Sequence, residues 1–293
     1  MRLFVGVFCV LFPALALAGE FPAAADIPVA KINHEALEKL GWKLSCQAYT
    51  FRELTCFETL DVLHALGVRY IELYPGQKLS KDSGGKVDHH MSAADLELLK
   101  KKLADTGITP VNYGVVGLGK DEKSAREVFD FAAKLGLLTI DAEPGEDTVE
   151  MLDRLTAEYK INIAIHDHPK PSRYWNPDFV LKVSAGRSAR IGSCADTGHW
   201  YRSGLVPVDC LKKLEGRIIS LHFKDLSAEK KDAPWGTGVC DAKGMLAEIR
   251  RQKLTPVFSI EYESTTGKEL VDNVRKCCEF LSNAAEGYAA EGK

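Results

Sequence analysis

Glu72, Glu143, His166, Asp196, His222 and Glu261 each close a run apolar enough to be buried, and His199 follows Asp196 by three residues. A carboxylate that ends a buried strand is costly unless a cation or a hydrogen-bond donor meets it. A cap or a salt bridge explains one such residue. Glu143, Asp196, His222 and Glu261, arriving in turn on later runs, are harder to explain as separate caps, and we read them as the ligands of one divalent metal ion. Three carboxylates and one imidazole make a hard, oxygen-rich site that favours Mn²⁺, Mg²⁺ or Co²⁺, with Zn²⁺ or Fe²⁺ admitted. The competing reading is an internal salt-bridge network with Lys224 and nearby arginines. Asp141 and Glu263 share strand parity with Glu143 and Glu261 and are the nearest rivals as ligands. The same parity turns Lys224 the way His222 points.

The elements that position these residues repeat. Strand patterns are expected near 44–49, 70–74, 109–113, 138–143, 162–166, 190–196, 218–223 and 257–261, with amphipathic helical stretches at 57–66, 93–104, 124–135, 149–159, 243–251 and 269–281. The run 171–189 mixes loop and helix signals. Strands alternating with helices predict a parallel sheet with right-handed crossovers. Eight such units in a chain of 293 residues predict an α/β fold, a single-domain (β/α)8 TIM barrel over 44–293. An open doubly wound sheet would carry a Gly-rich phosphate turn after its first strand, and Ser45-Cys46-Gln47-Ala48-Tyr49-Thr50 is not one. In a barrel of this kind the chemistry sits at the C-terminal ends of the strands.

At this point the motifs resemble a known family, the xylose-isomerase-like TIM barrels that include sugar phosphate isomerases and epimerases. The matching pieces are Ala142-Glu143-Pro144, Ile165-His166-Asp167-His168-Pro169, Ala195-Asp196-Thr197-Gly198-His199, Leu221-His222-Phe223-Lys224-Asp225 and Ile260-Glu261-Tyr262-Glu263, with Pro234-Trp235-Gly236-Thr237-Gly238 in the loop after the seventh strand. The likeness runs from about residue 44 to the last helix. It implies that Glu143, Asp196, His222 and Glu261 bind one divalent metal, that Glu143 and Glu261 are also paired acid/base groups, and that His199 touches substrate. His166, His168, Lys224 and Trp235 are the further expected substrate contacts, and the loop Lys170-Pro171-Ser172-Arg173-Tyr174-Trp175 has the ingredients of a sugar platform. The superfamily also includes a DNA-repair endonuclease with a three-metal cluster. That cluster needs extra histidines, where this chain has Glu72, Tyr113 and Lys224-Asp225.

Composition narrows the partners. Lys+Arg 38 against Asp+Glu 41 gives a net charge of −3, so no cationic excess exists to hold nucleic acid. Met1-Arg2, the apolar run 3–17 and Ala16-Leu17-Ala18 read as a secretory signal cleaved near Ala18, ahead of a lead-in segment at 19–43. The chain is therefore expected to be exported, to the periplasm or beyond, without stable membrane insertion. Of eight cysteines Cys9 falls in the signal, and Cys46 with Cys56 is the short-range candidate for a disulfide. No Cys-x-x-Cys zinc spacing occurs. The expected partner is a small carbohydrate, and the oligomeric state is left open, homodimers being common among similar barrels. The activity these readings imply is isomerisation or epimerisation of a sugar or keto-sugar through an enediolate. A lyase or hydratase acting on 3-keto-glycosides is the second reading, and a non-catalytic carbohydrate-binding module the third.

Overall fold

The computed structural model describes residues 19–291, so the expected export signal lies outside the described residues. The strands are β1 Lys43–Gln47, β2 Tyr70–Leu73, β3 Thr109–Tyr113, β4 Thr139–Ala142, β5 Asn162–His166, β6 Ile191–Asp196, β7 Ile218–Phe223 and β10 Val257–Ile260, with β8 Asp225–Leu226 and β9 Asp232–Ala233 forming a small antiparallel pair. The larger eight pair in parallel around a closed ring, in the order β1-β10-β7-β6-β5-β4-β3-β2. The helices are α1 His34–Leu40, α2 Cys56–Leu66, α3 Ala93–Thr106, α4 Glu122–Leu135, α5 Val149–Tyr159, α6 Pro177–Ser184, α7 Thr197–Arg202, α8 Pro207–Lys213, α9 Ala242–Arg251 and α10 Gly267–Ala290. This is a single (β/α)8 barrel, as expected. None of the described helices is long and apolar enough to cross a membrane.

Local sequence chemistry sets the ends of these elements. Thr55 and Glu58 form a reciprocal capping box at the start of α2, and Gly67 ends it in the left-handed conformation at φ 82°. Asp121 caps α4 by accepting the Ser124 N–H, and Asn176 caps α6 ahead of Pro177. The irregular 171–189 run thus resolves into a loop and a short helix. In the lead-in segment, α1 packs against α10.

The apolar core lies outside the ring, between strands and helices. Ile71, Ile140, Ile163, Ile165, Phe223 and Phe258 are buried there with Leu60, Leu63, Phe129 and Leu246. The inside of the ring is polar. Ser220 Oγ donates to Asp141 Oδ1 at 2.9 Å, joining β7 to β4, and Ser259 Oγ donates to Glu72, joining β10 to β2. Bonds between strands that are not neighbours can form only across the barrel interior. Branched apolar side chains usually fill that space.

Two expectations need correction. Cys46 and Cys56 do not pair: all seven described cysteines are buried free thiols. The Cys46 thiol donates to the Ile260 carbonyl at 3.4 Å, and burial pushes its pKa up to about 12. The fourth and last strands are also shorter than their apolar runs. Glu143 and Glu261 stand one residue past β4 and β10, released from the ladder and turned into the mouth.

The register of β6 against β7 shifts between Ser193 and Cys194, and Gly192 sits just before the shift. A Cβ there would run into the Arg217 carbonyl and meet Ile219 Cγ1 at 2.9 Å. We expect Gly192→Ala to lower stability by roughly 1–3 kcal/mol, the usual effect of overpacking, read as an earlier urea unfolding midpoint.

Candidate active site

Seven strands deliver polar side chains to the C-terminal end of the barrel. Gln47 comes from β1 and Glu72 from β2, Glu143 follows β4, and His166 ends β5 with His168 beyond it. Asp196 ends β6, with His199 in the first turn of α7. His222 lies on β7 with Lys224 after it, and Glu261 and Glu263 follow β10. Asp196 is held by the turn it starts: its Oδ1 accepts the His199 N–H at 2.7 Å, and its own N–H donates to Asp167 Oδ1 at 2.8 Å. The other oxygen, Oδ2, points into the mouth. Gly198 lets Lys224 pass close by, since a Cβ at 198 would lie 2.8 Å from the Lys224 Cβ.

One ligand atom from each of His166, Asp196, His222 and Glu261 falls within 4.8 Å of the others. His222 Nδ1 is 3.2 Å from Glu261 Oε2, and His166 Nε2 is 3.7 Å from Asp196 Oδ2. Asp196 Oδ2 and both ring nitrogens of His166 are buried without a hydrogen-bond partner. Orphaned donors and acceptors of this kind are rare in folded proteins. Their convergence fits a divalent cation.

Three of the four expected ligands, Asp196, His222 and Glu261, thus come together, and His166, expected as a substrate contact, joins them. Glu143 stands in an adjoining group with His166 and His168. Its Oε1 lies 3.7 Å from His166 Nδ1 and accepts the His168 N–H at 3.1 Å, while Ser172 Oγ donates to Oε2 at 3.0 Å. His166 therefore stands between Glu143 and Asp196. Of the rivals, Asp141 lies deeper, bonded to Ser220, whereas Glu263 reaches the mouth and accepts from Lys224 Nζ at 2.8 Å. Trp235 is not brought to the site. It is 3% exposed, with its ring 4.8 Å from that of Phe223, and packs behind β7. Trp175 lies under Lys170 Nζ at 3.9 Å.

Lys224 is the positive centre of the site. Its ammonium is 1% exposed, 2.7 Å from Glu261 Oε2 and 2.8 Å from Glu263 Oε2. It also lies 3.1 Å from Asp196 Oδ2, off the hydrogen-bonding direction. Burial opposes ionisation of Asp196 and Glu261. The charges of Lys224 and the neighbouring imidazoles outweigh it, and both carboxyls are held well below the usual range. Burial likewise disfavours the charged form of His222, but its anionic neighbours prevail and raise its pKa. His199 goes the other way: burial pushes it down to about 3, so it is neutral. Arg202 Nη1 lies 3.1 Å from His199 Nδ1. A guanidinium only donates, so Nδ1 accepts and the proton sits on Nε2.

The mouth opens into a cavity of about 440 Å³, lined by Gln47, Tyr49, Tyr74, His168, Glu261 and Glu263 among others. Tyr49 and Tyr74 meet edge to face at 5.3 Å and form one wall. A larger cleft, about 730 Å³, opens at the opposite, N-terminal face around Trp42 and Leu254. It lies far from the converging donors, and the smaller cavity is the one placed for chemistry.

Residues 60–284 match the sequence profile of the family described as the xylose isomerase-like TIM barrel. The chain belongs to this family. A putative uncharacterized protein from Parabacteroides distasonis is 34% identical, with a TM-score of 0.69 over 83% of this chain and 99% of that one. The probable 3-DHS dehydratase AsbF of Bacillus anthracis is 16% identical (TM-score 0.60, 82% and 99% covered). The 3-keto-D-glucoside 4-epimerase of E. coli is 11% identical (TM-score 0.61, 83% and 99% covered). These two share the fold with this barrel. No curated protein matches the chain in sequence.

The Lys224 contacts give a signed pH dependence. Folded-state pKa values of Asp196 and Glu261 lie below their unfolded ones, so their stabilisation is present above about pH 4 and lost as pH falls through the folded values. Lys224→Met removes the ammonium that these buried carboxylates share. Metal-free variant is expected to be less stable than wild type by roughly 3–5 kcal/mol at pH 7. The gap should narrow towards pH 4 as the acids protonate, which urea denaturation in the presence of chelator at the two pH values checks.

Proposed function

We propose that this barrel is a metal-dependent enzyme that isomerises or epimerises a sugar or keto-sugar by moving a proton at the carbon beside a carbonyl. The observation that carries the reading is the convergence of Asp196 Oδ2 and both His166 nitrogens, none of them hydrogen-bonded, with His222 and with Glu261, which lines the cavity. Asp196, His222 and Glu261 would hold the ion, with Glu143 or His166 as the fourth donor. Three carboxylates and an imidazole favour Mn²⁺, Mg²⁺ or Co²⁺, and a second imidazole moves the preference towards Zn²⁺ or Fe²⁺. The chemistry that such an ion supplies when bound is polarisation of a carbonyl oxygen.

The protein's own groups handle the proton. β4 and β10 stand four places apart in the ring of eight, so Glu143 and Glu261 approach the cavity from opposite walls. Both carboxyls are held below the ordinary range: burial raises them, but the His166 and His168 contacts prevail for Glu143, and Lys224 and His222 for Glu261. Each is therefore in the proton-accepting form at neutral pH. One removes the α-proton and one returns it, a contribution of typically about 10²–10⁴-fold for a positioned base. Neutral His199 offers its Nε2–H to a substrate oxygen, and His168 and Lys224 are further partners at the rim. The aromatic wall suits the apolar face of a sugar ring, and Glu261 and Glu263 at the mouth disfavour a phosphorylated one. The export expected from the N-terminal sequence is in keeping with a free sugar or its keto form.

Incubation with Mn²⁺ and candidate keto-sugars in D₂O tests this. Deuterium at the α-carbon of a rearranged sugar is the expected result, and Glu261→Gln should reduce that exchange at least 100-fold, in line with the loss of a positioned base, while leaving the fold intact. An unsaturated or hydrated product would make the protein a lyase or hydratase on 3-keto-glycosides, and binding without exchange would make it a carbohydrate-binding module.

A further inference from the structure

Glu72 is fully buried, lies outside the cavity and belongs to neither group of candidate ligands. It arrives on β2, three places round the ring from β7. Its Oε1 lies 2.9 Å from His222 Nε2 and also accepts from Gln47 Nε2 at 2.8 Å, while Ser259 Oγ donates to Oε2. The Gln47 amide cannot be turned the other way, because its Oε1 accepts the Tyr49 N–H at 3.1 Å and its Nε2 also donates to the Gly114 carbonyl at 2.9 Å. Oε1 of Glu72 is therefore an acceptor, and the atom facing it on His222 must carry hydrogen. The nitrogen left over, Nδ1, is the one that faces Glu261 and the converging donors.

We propose that Glu72 is a positioning residue that keeps a proton on His222 Nε2, so that Nδ1 is the nitrogen that gives its lone pair to the cation when one binds. The inference rests on the metal reading above. A ligating imidazole is generally oriented by a carboxylate or carbonyl on its far nitrogen, and losing that partner typically costs about 10–100-fold in metal affinity. Here the partner is itself anchored by Gln47 and Ser259, so three strands besides β7 fix one ring.

The test uses residues 19–293 labelled with ¹⁵N-histidine, as wild type, Glu72→Gln and Glu72→Met, with His222→Gln to assign the resonances. Long-range ¹H–¹⁵N spectra report which nitrogen of His222 is protonated, and calorimetric titration reports Mn²⁺ affinity. In wild type Nε2 is expected to carry hydrogen both in chelator and with diamagnetic Zn²⁺. Gln at 72 keeps an acceptor for Nε2–H and should preserve the pattern, with Mn²⁺ affinity within a few-fold of wild type. Met at 72 should lose it and bind Mn²⁺ about 10–100-fold more weakly. A bare Nε2 in Zn²⁺-loaded wild type, or a folded Met variant that binds Mn²⁺ as wild type does, overturns the proposal. If the Met variant does not fold, the wild-type and Gln spectra decide. If wild type takes up no divalent ion, the metal reading fails, and a bare Nε2 in the metal-free spectrum would sink the Glu72 assignment separately.

Discussion

Asp196, Glu261 and Glu263 close on a single ammonium, Lys224 Nζ, in a place almost sealed from water. Desolvated carboxylates need a cation or several donors, and leaving one without a partner costs more than most packing defects. One lysine against three acids leaves negative charge over. Much of the rim is built to hold those acids in place despite it. The Lys224 amide donates to Thr197 Oγ1 at 2.7 Å, fixing the turn after β7 against the start of α7. Asp232, on β9, accepts Arg202 at 3.0 Å on one oxygen and the Glu263 N–H at 2.9 Å on the other. The loops after β6, β7 and β10 are thereby tied to one another behind the acids they carry. A cation-demanding mouth is thus a property of three loops acting together, not of any one ligand.

The alternation of strand and helix was legible because each unit contains a run long enough to show its period. Eight such units in one chain leave little choice of architecture. What escaped was short or depended on a partner far away in sequence. Helices α7 and α8 and the β8–β9 pair are too brief for a periodic signal. Trp235 reads as a loop aromatic, yet it follows the β8–β9 pair into a buried place against Phe223. Among the candidate ligands, strand parity told which residues face inward. It could not tell how far each side chain reaches, and so it did not show that His166 stands within reach of both Glu143 and Asp196. The acid on β2 was visible at the end of its strand, but its role depends on a histidine 150 residues away. Cys46 and Cys56 were close in sequence, and each is instead buried as a free thiol in the apolar layer around the strands.

Contact with a cationic side chain orders the acids of this barrel. At the rim, Glu143, Asp196 and Glu261 lie within reach of histidine or lysine, and each is held ionised although burial opposes it. Where no cation is in contact, burial is the larger influence, and it raises Asp141 and Asp167 well above the ordinary carboxyl range. Asp141 has Ser220 as its donor and Asp167 has the Asp196 amide, and neither has a cation in contact. Environments that push like groups apart are how one fold assigns different protonation states to chemically identical side chains. The same division explains how a polar interior is tolerated: its acids are satisfied chiefly by hydroxyls, amides and one imidazole, and charge is concentrated around Lys224. Stability and reactivity are then set in different layers. The helices and the outward faces of the strands bury the apolar surface that holds the ring closed, and the space that usually adds a second apolar core is given over to orienting the groups at the rim.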